Sequence, residues 1–326
     1  MIKQYISNLD SEIRSGYFVS SETKKLWNIQ INMANKLLEV CKKYNLKIWA
    51  IGGTMLGAVR HEGYIPWDDD IDFMMFRGDY DKLLEIAQKE FKSPYYFQSP
   101  YNERGYYRGH SQLRYDNTTM ILPEEGKLGV NFHQGIFIDI FVSDGFPESD
   151  EERKQLLNNK DKIIAYLNYR QYPLMRYLSI RHLIEYIRIK YQLGEKSKWN
   201  DTKLYNYLEN THKSFSIDNS NRNTWTLHLY LPRWVRQNNW FDETIWMKFE
   251  LIELPIPAKY DTILKHEFGD YMKFVIGESC HGSVIIDTEK PYTYYLSKLK
   301  RNIFQAIFYF LKSIIVMFLY KLRIIK

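Results

Sequence analysis

Cysteine is scarce in this sequence of 326 residues, which contains only Cys41 and Cys280. Two cysteines do not build a disulfide framework, and no CxxC or HxxxH spacing indicates a zinc site. Residues 1–17 also lack the apolar run of a secretory signal. These absences predict a protein of the reducing cytoplasm.

No run of lysine and arginine with interleaved aromatic residues is visible, so we expect no nucleic-acid partner. Lysine and arginine (45) nevertheless outnumber aspartate and glutamate (39), which gives a formal net charge of +6. This excess weakly favours anionic partners such as nucleotides, phosphorylated glycans or an anionic membrane surface.

The most informative stretch is residues 48–76, IWAIGGTMLGAVRHEGYIPWDDDIDFMMF. Its apolar start predicts a buried strand that ends at Gly52 and Gly53, after which Thr54 is placed to cap a short helix over residues 54–60. A helix N-terminus after a glycine turn presents unpaired N–H groups and positive dipole charge, which suit phosphate. We therefore predict that Gly52, Gly53 and Thr54 bind phosphate.

Four aspartates follow within five residues, at positions 68, 69, 70 and 72. Such a density of carboxylates disfavours an ordinary strand start unless a cation neutralises it. On a strand, Asp70 and Asp72 would share one face while Ile71 and Phe73 face the core. Carboxylate oxygens suit a hard cation such as Mg²⁺. An acidic surface turn is the alternative, but the glycine turn at this spacing favours a metal site.

A further aspartate, Asp139, lies within the apolar run of residues 135–142. A carboxylate buried there without a partner would carry a large desolvation cost. We expect it to be metal-bound, with a salt bridge to an interior arginine such as Arg114 as the alternative. The sequence does not separate a metal ligand from a general base.

These segments resemble a known family. The glycine pair and threonine followed by Asp70-x-Asp72 are similar to the nucleotidyltransferase signature of the polymerase-β-like superfamily. More narrowly, GGTMLGAVRHEGYIPWDDDID resembles the signature of the LicD family, and GIFIDIF at residues 135–141 resembles a second strand of that family, whose aspartate completes the acidic site. The resemblance is strong over about residues 25–147 and loose over residues 248–282.

Members of the LicD family transfer phosphorylcholine or related phosphorylated alcohols onto cell-surface glycans. The resemblance implies Mg²⁺-dependent transfer, with Mn²⁺ as a substitute, from a CDP-alcohol donor, most simply CDP-choline with release of CMP. The acceptor would be a hydroxyl of a lipid-linked glycan, such as a teichoic-acid, lipopolysaccharide or capsule precursor. Asp70, Asp72 and Asp139 would hold the metal and serve catalysis.

Three other residues are predicted to contact phosphate or the acceptor, namely Arg60, His61 and Arg114. Arg60 and His61 end the short predicted helix, where a structural ion pair is the alternative. For Arg114 the alternative is an ordinary structural role, which is the commoner one for arginine.

Two other functions stay open. A typical member of the superfamily attacks the α-phosphorus of a nucleoside triphosphate and releases pyrophosphate, and it uses the same carboxylates. A non-catalytic, membrane-associated scaffold for glycan assembly is an alternative of another class. The intact set Asp70, Asp72 and Asp139 argues against the scaffold.

The expected fold is α+β, with a polymerase-β-like nucleotidyltransferase core, a short mixed sheet flanked by helices, over residues 1–290 and an added helical segment at about 149–217. Helices are predicted at 22–45 and 77–91, and a hairpin at 111–121 that turns at Asp116 and Asn117. Asp144 is expected in a turn.

Residues 291–326 are expected to form a separate C-terminal helix. Residues 303–320 are nearly all apolar or aromatic and are flanked by lysine and arginine, which suits a helix lying on an anionic membrane surface. A helix docked on the protein's own core and a membrane span containing Lys312 are the alternatives. The tail therefore predicts a cytoplasmic protein that is peripheral on the inner face of the membrane.

Overall fold

The structure is a computed structural model that describes residues 3–122, 125–126, 129–172, 175, 179–225, 231–277, 284–299, 308, 311–312 and 314–315. The helices of this part of the chain are α1 (Ser21–Lys43), α2 (Gly52–His61), α3 (Arg77–Glu90), α4 (Asp150–Gln171), α5 (Ile180–Leu193), α6 (Asp201–Lys213), α7 (Tyr260–Phe268) and α8 (Tyr292–Leu299). The strands are β1 (Glu12–Arg14), β2 (Tyr17–Val19), β3 (Trp49–Ala50), β4 (Asp72–Phe76), β5 (Tyr95–Gln98), β6 (Ser111–Tyr115), β7 (Thr119–Ile121), β8 (Phe137–Gly145), β9 (Arg222–Trp225), β10 (Val235–Gln237), β11 (Thr244–Phe249), β12 (Ile252–Pro257) and β13 (Ile285–Asp287).

A mixed seven-stranded sheet lies at the centre of the described chain. Its main order is β10–β9–β8–β4–β3, and β6 also pairs with β8 while carrying β5 on its other edge. Strand β8 is parallel to β4 and antiparallel to β6 and β9. The prediction of an α+β fold with a mixed sheet flanked by helices is confirmed.

Helix α1 confirms the helix predicted over residues 22–45 and covers this sheet with an apolar stripe. Ser20 caps the helix by accepting a hydrogen bond from the Thr23 N–H. The stripe is buried at Leu26, Ile29 and Met33 and continues beyond them, and the helix packs against β6 and β8. Each fully buried aliphatic side chain contributes about 1.5–3 kcal/mol, so this face holds the helix firmly in place.

The predicted hairpin over residues 111–121 is wrong in its pairing, although both of its strands exist. Strand β6 lies between β5 and β8, so both of its edges are already hydrogen-bonded. Strand β7 pairs instead with β13. The turn itself is present, since Asn117 has a φ of +59°, but the chain after it leaves the central sheet.

Asp144 is not a turn residue as predicted. Strand β8 continues through Gly145, and Asp144 is buried within it. Its carboxylate accepts hydrogen bonds from Arg77 at the start of α3, with Nε to Oδ1 at 2.7 Å and Nη2 to Oδ2 at 2.6 Å. The partner lies 67 residues away in sequence, so no local pattern indicates it.

Helices α4, α5 and α6 occupy much of the predicted helical segment at 149–217 and share a small apolar core of their own. Ile163 and Leu167 of α4 pack there with Leu204 and Leu208 of α6. An ion pair of 2.8 Å between Arg77 and Glu209 joins this core to the central sheet.

Within the predicted C-terminal tail, residues 291–299 are described and include α8, whereas most of residues 303–320 lie outside the described residues. The expectation for residues 303–320 and the boundary at 290 stay predictions. Among the helices of the described chain, none combines the length and apolar character needed to cross a membrane.

Candidate active site

Helix α1 fixes the aspartate-rich loop that precedes β4. The Trp27 indole donates a hydrogen bond to the carbonyl of Asp68 at 2.9 Å. The Gln30 amide donates to the carbonyl of Asp69 at 2.7 Å and to that of Phe137 at 3.2 Å. Because Phe137 begins β8, one glutamine side chain connects the loop to the neighbouring strand.

Tyr64 holds this arrangement from the other side. Its ring stacks on Trp27 with centroids 4.5 Å apart, and its hydroxyl donates to Gln30 Oε1 at 3.0 Å. Burial, followed by the charges of Glu250 and the aspartate loop, raises the pKa of Tyr64 well above its usual range. The phenol therefore keeps its proton and donates a hydrogen bond to the oxygen of the Gln30 amide. The nitrogen of that amide then faces the carbonyls of Asp69 and Phe137.

The loop brings three carboxylates together. One oxygen each of Asp68, Asp69 and Asp70 lies within 4.8 Å of the others, with Asp70 buried and the other two half-buried. A set of carboxylate oxygens is the donor set that Mg²⁺ or Mn²⁺ takes in proteins. The chemistry of this cluster therefore fits a hard divalent cation.

The predicted placement of Asp70 on a strand is wrong, because β4 begins at Asp72. Asp70 instead belongs to the loop that α1 holds. The accompanying prediction about the core is confirmed, since Ile71 and Phe73 are both fully buried.

A row of polar side chains crosses three strands of the sheet. Asp72 on β4 lies in register with Asp139 on β8, and Gln112 on β6 lies opposite the same Asp139. Neighbouring strands are about 4.8 Å apart, and residues in register point to the same face. The sheet therefore places the predicted Asp72 and Asp139 side by side.

The first residues of α2 lie against these carboxylates. Gly52 has a φ of +55°, and a Cβ on it would lie 3.9 Å from Asp72 Oδ2. A Cβ on Gly53 would lie only 2.7 Å from Asp68 Oδ2. The glycines thus allow a close approach of the carboxylates to a helix N-terminus, where the dipole stabilises negative charge.

Thr54 does not cap this helix as predicted. The helix begins at Gly52, and the capping position is Ile51, which has no side-chain hydrogen bond to offer. The Thr54 hydroxyl instead accepts a hydrogen bond from the backbone N–H of Asp72 at 2.9 Å. Together with the bond from Ile51 N–H to the Asp72 carbonyl at 3.1 Å, this contact fixes α2 against the start of β4.

The Asp139 carboxylate is held by two side chains that the sequence analysis missed. Gln112 Nε2 donates to its Oδ1 at 2.7 Å, and His110 Nε2 lies 3.1 Å from the same oxygen. The other ring nitrogen of His110 lies 3.1 Å from the carbonyl of Arg108. A signal was available, since polar residues at 110, 112 and 114 alternate along an extended segment and so share one face.

Arg114 is only 1% exposed. Its guanidinium donates to Gln98 Oε1 at 2.7 Å, to the carbonyl of Gly135 at 2.8 Å and to Gln112 Oε1 at 2.5 Å. Burial, reinforced by the nearby charge of Arg108, lowers its pKa to about 10. The structure thus gives Arg114 an interior role, and its predicted contact with phosphate stays a prediction.

The sequence is also similar to known proteins. The sequence model of a family described as LicD/FKTN/FKRP, nucleotidyltransferase domain, matches residues 45–141. A lipopolysaccharide cholinephosphotransferase LicD of Haemophilus influenzae is 26% identical over 257 residues, which are 74% of this chain and 88% of that protein. Residues 45–141 therefore form a LicD-family domain.

Two shorter matches fall on uncharacterised proteins of Rickettsia. One, from Rickettsia prowazekii, is 32% identical over 83 residues, covering 26% of this chain and 30% of that protein. The other, from Rickettsia typhi, is 37% identical over 76 residues, 23% of each.

The LicD domain match includes all the predicted site residues from Gly52 to Asp139. Arg60 and His61, also within it, lie at the end of α2. Arg60 donates to the His61 ring at 3.0 Å and to the carbonyls of Tyr271 and Lys273 at 2.6 and 3.2 Å. Burial, with the charge of Arg60 next in importance, lowers the pKa of His61 to about 4. These contacts hold residues 271–273 beside α2, and the predicted substrate contacts of Arg60 and His61 stay predictions.

Proposed function

We propose that this protein is a transferase that moves a phosphorylated alcohol, most simply phosphocholine from CDP-choline, to a hydroxyl of lipopolysaccharide or another cell-surface glycan. The observation that carries the proposal is the pairing of Asp72 with Asp139 beside the glycine-rich start of α2. The cholinephosphotransferase activity for which the Haemophilus influenzae relative is named supports it, because the match spans 88% of that protein.

Asp70, Asp72 and Asp139 are the residues proposed to hold Mg²⁺ or Mn²⁺, with Asp68 and Asp69 close enough to Asp70 to assist. A bound divalent cation supplies charge neutralisation at the donor diphosphate and at the oxygens that exchange on phosphorus. Phosphoryl transfer depends mainly on such positioning and charge stabilisation.

The protein's own groups would share the remaining work. Gly52, Gly53 and Thr54 would hold phosphate oxygens at the N-terminus of α2. In the proposed reaction the acceptor hydroxyl oxygen bonds to the distal phosphorus, the bond from that phosphorus to CMP breaks, and the hydroxyl proton leaves. Asp139, oriented by Gln112, would either ligate the cation or take this proton.

We also propose that the central sheet is a polymerase-β-like nucleotidyltransferase core. The unit β3–α2–β4, with a glycine turn at its first corner and an aspartate at the start of β4, supports this assignment. The description of the matching family as a nucleotidyltransferase domain supports it as well.

We propose a peripheral position on the inner face of an anionic membrane, where a lipid-linked acceptor would be met. The support is compositional, namely the net charge of +6 and the apolar sequence at 303–320 with its basic flanks. Flotation with vesicles containing anionic lipid tests this point separately from catalysis.

The deciding experiment measures nucleotide release by the purified protein with Mg²⁺, acceptor-bearing membranes, and either CDP-choline or CTP. CMP that appears only when CDP-choline and acceptor are both present supports transfer at the distal phosphorus. Pyrophosphate from CTP would replace this proposal with nucleotidyl transfer at the α-phosphorus. Other CDP-alcohols, with ethanolamine, glycerol or ribitol, identify the alcohol.

Two variants test the proposed metal site separately. Asp70→Ala and Asp72→Ala are expected to abolish transfer while the melting temperature stays near that of the unaltered protein. Asp161→Ala, at an exposed carboxylate of α4, is the matched control and should keep full activity. Full activity in either of the first two variants would contradict the metal site.

A further inference from the structure

We propose that Gln112 and Arg114 form a buried relay that orients the Asp139 carboxylate for a divalent cation. The inference rests on the proposed function, because it concerns the same carboxylate. It assigns positioning roles to two residues, of which Gln112 was not predicted at all and Arg114 was predicted to contact phosphate.

The relay follows from the donor and acceptor chemistry of its members. Arginine has only donors, so the oxygen of the Gln112 amide must face Arg114 Nη2, 2.5 Å away. The amide nitrogen then necessarily points the other way, where it donates to Asp139 Oδ1 at 2.7 Å. Arg114 therefore fixes which end of the Gln112 amide meets the carboxylate.

Arg114 is itself held too firmly to turn away. Its Nε donates to Gln98 and its Nη1 to the carbonyl of Gly135, and the guanidinium lies 4.7 Å from the centre of the Phe137 ring. Gln112 and Arg114 are each 1% exposed. Water therefore does not compete for these hydrogen bonds, which are stronger in such surroundings.

The separation of charge is what suits this arrangement to a metal ligand. A guanidinium directly on a carboxylate favours its ionised form but also offsets the charge that a cation would meet. Because the Gln112 amide lies between Arg114 and Asp139, the positive charge of the guanidinium acts on the carboxylate only from a distance. Outer hydrogen bonds of this kind orient ligating carboxylates and raise metal affinity.

The test measures Mn²⁺ binding by electron paramagnetic resonance or titration calorimetry, with no nucleotide or acceptor present. Gln112→Met removes both hydrogen bonds at similar volume and is expected to weaken Mn²⁺ binding on the order of ten-fold or more. Arg114→Met should act in the same direction because the amide is then free to reverse. Gln112→Asn, too short to meet both partners, serves if the methionine variant folds poorly.

Gln98→Met is the matched control. It removes a hydrogen bond to the same guanidinium from the side away from Asp139. It is expected to lower the melting temperature about as much as Gln112→Met while leaving Mn²⁺ affinity nearly unchanged, because Arg114 keeps its hydrogen bonds to Gly135 and Gln112.

The outcomes separate the two proposals. Mn²⁺ affinity that is unchanged in Gln112→Met, or equally weakened in Gln98→Met, would overturn the relay while leaving the metal site in place. No Mn²⁺ binding by the unaltered protein would overturn the metal site itself, and the relay with it.

Discussion

Strand β8 carries two buried aspartates whose surroundings differ sharply. Asp139 and Asp144 are 5% and 4% exposed, and because they are five residues apart they point to opposite faces of the sheet. Asp144 is bound by both nitrogens of the Arg77 fork, and Arg77 also reaches Glu209. Asp139 instead accepts a hydrogen bond from the Gln112 amide, and the His110 ring lies 3.1 Å from the same oxygen.

The difference distinguishes a structural carboxylate from a candidate ligand. A bidentate guanidinium satisfies both carboxylate oxygens and neutralises the charge, so the Asp144 pair joins α3 to β8 and needs nothing further. An amide supplies direction without charge. Residue type and burial are the same in both cases, so the partners alone make the distinction.

The largest expected effect is on stability, through the Asp144–Arg77 pair. Asp144→Asn sets an amide donor against the guanidinium of Arg77 and is expected to lower the free energy of unfolding by about 3–5 kcal/mol, as breaking a buried pair does. Urea denaturation monitored by circular dichroism measures the loss.

The same substitution at Asp139 is expected to act on activity. Asp139→Asn keeps an acceptor for Gln112, so the fold should remain within about 1 kcal/mol, while kcat for transfer falls about 10²–10³-fold because a charge-stabilising group is lost. Steady-state release of CMP measures the rate, and urea denaturation the stability.

Either reversal would break the comparison between the two aspartates. It fails if Asp139→Asn unfolds as readily as Asp144→Asn, since Asp139 would then be a structural residue as well. It also fails if Asp144→Asn stays stable but loses transfer.

Much of the local structure could be predicted because it depends on neighbouring residues. The stripe on α1, the glycine turn and the apolar run around Asp139 are each visible in a short stretch of neighbouring residues. Family resemblance added the expectation that Asp139 joins Asp70 and Asp72. The register that sets Asp72 beside Asp139 depends on hydrogen bonds between distant strands, which no local pattern specifies.

The errors have the same origin. Thr54 has the residue type of a helix cap, but its hydroxyl is engaged by the Asp72 N–H across the turn. The hairpin at 111–121 was predicted from its turn, yet β6 found both partners elsewhere. Gln112 was overlooked although it alternates with His110 and Arg114, because its partner Asp139 lies on another strand.

Acid is expected to destabilise the fold, in part through a histidine near the Asp144–Arg77 pair. His212 of α6 is buried, and burial, partly opposed by the charge of Asp144 and reinforced by that of Arg77, lowers its pKa to about 4. Between about pH 6.5 and pH 4 the unfolded chain binds a proton there and the folded chain does not, so stability falls as pH falls. The contribution is about 1.4 kcal/mol per pH unit.

Urea denaturation at pH 7, 5.5 and 4.5 measures this dependence. His212→Asn should show a flatter profile over the same range than the unaltered protein. Identical slopes for the two proteins would mean that His212 does not titrate between the folded and unfolded states.

The smallest expected effect concerns Gly53 and the Asp68 carboxylate beside it. In Gly53→Ala the new Cβ would meet Asp68 Oδ2 at 2.7 Å, so this carboxylate must move while the helix backbone stays. Transfer should fall on the order of ten-fold because a positioned group is displaced. Stability should change by no more than about 1 kcal/mol.

Gly78→Ala in α3, where nothing lies within 4 Å of the added Cβ, is the matched control and should keep full activity. Equal activity in the two variants would remove Asp68 from the site and leave Asp70, Asp72 and Asp139 to act without it.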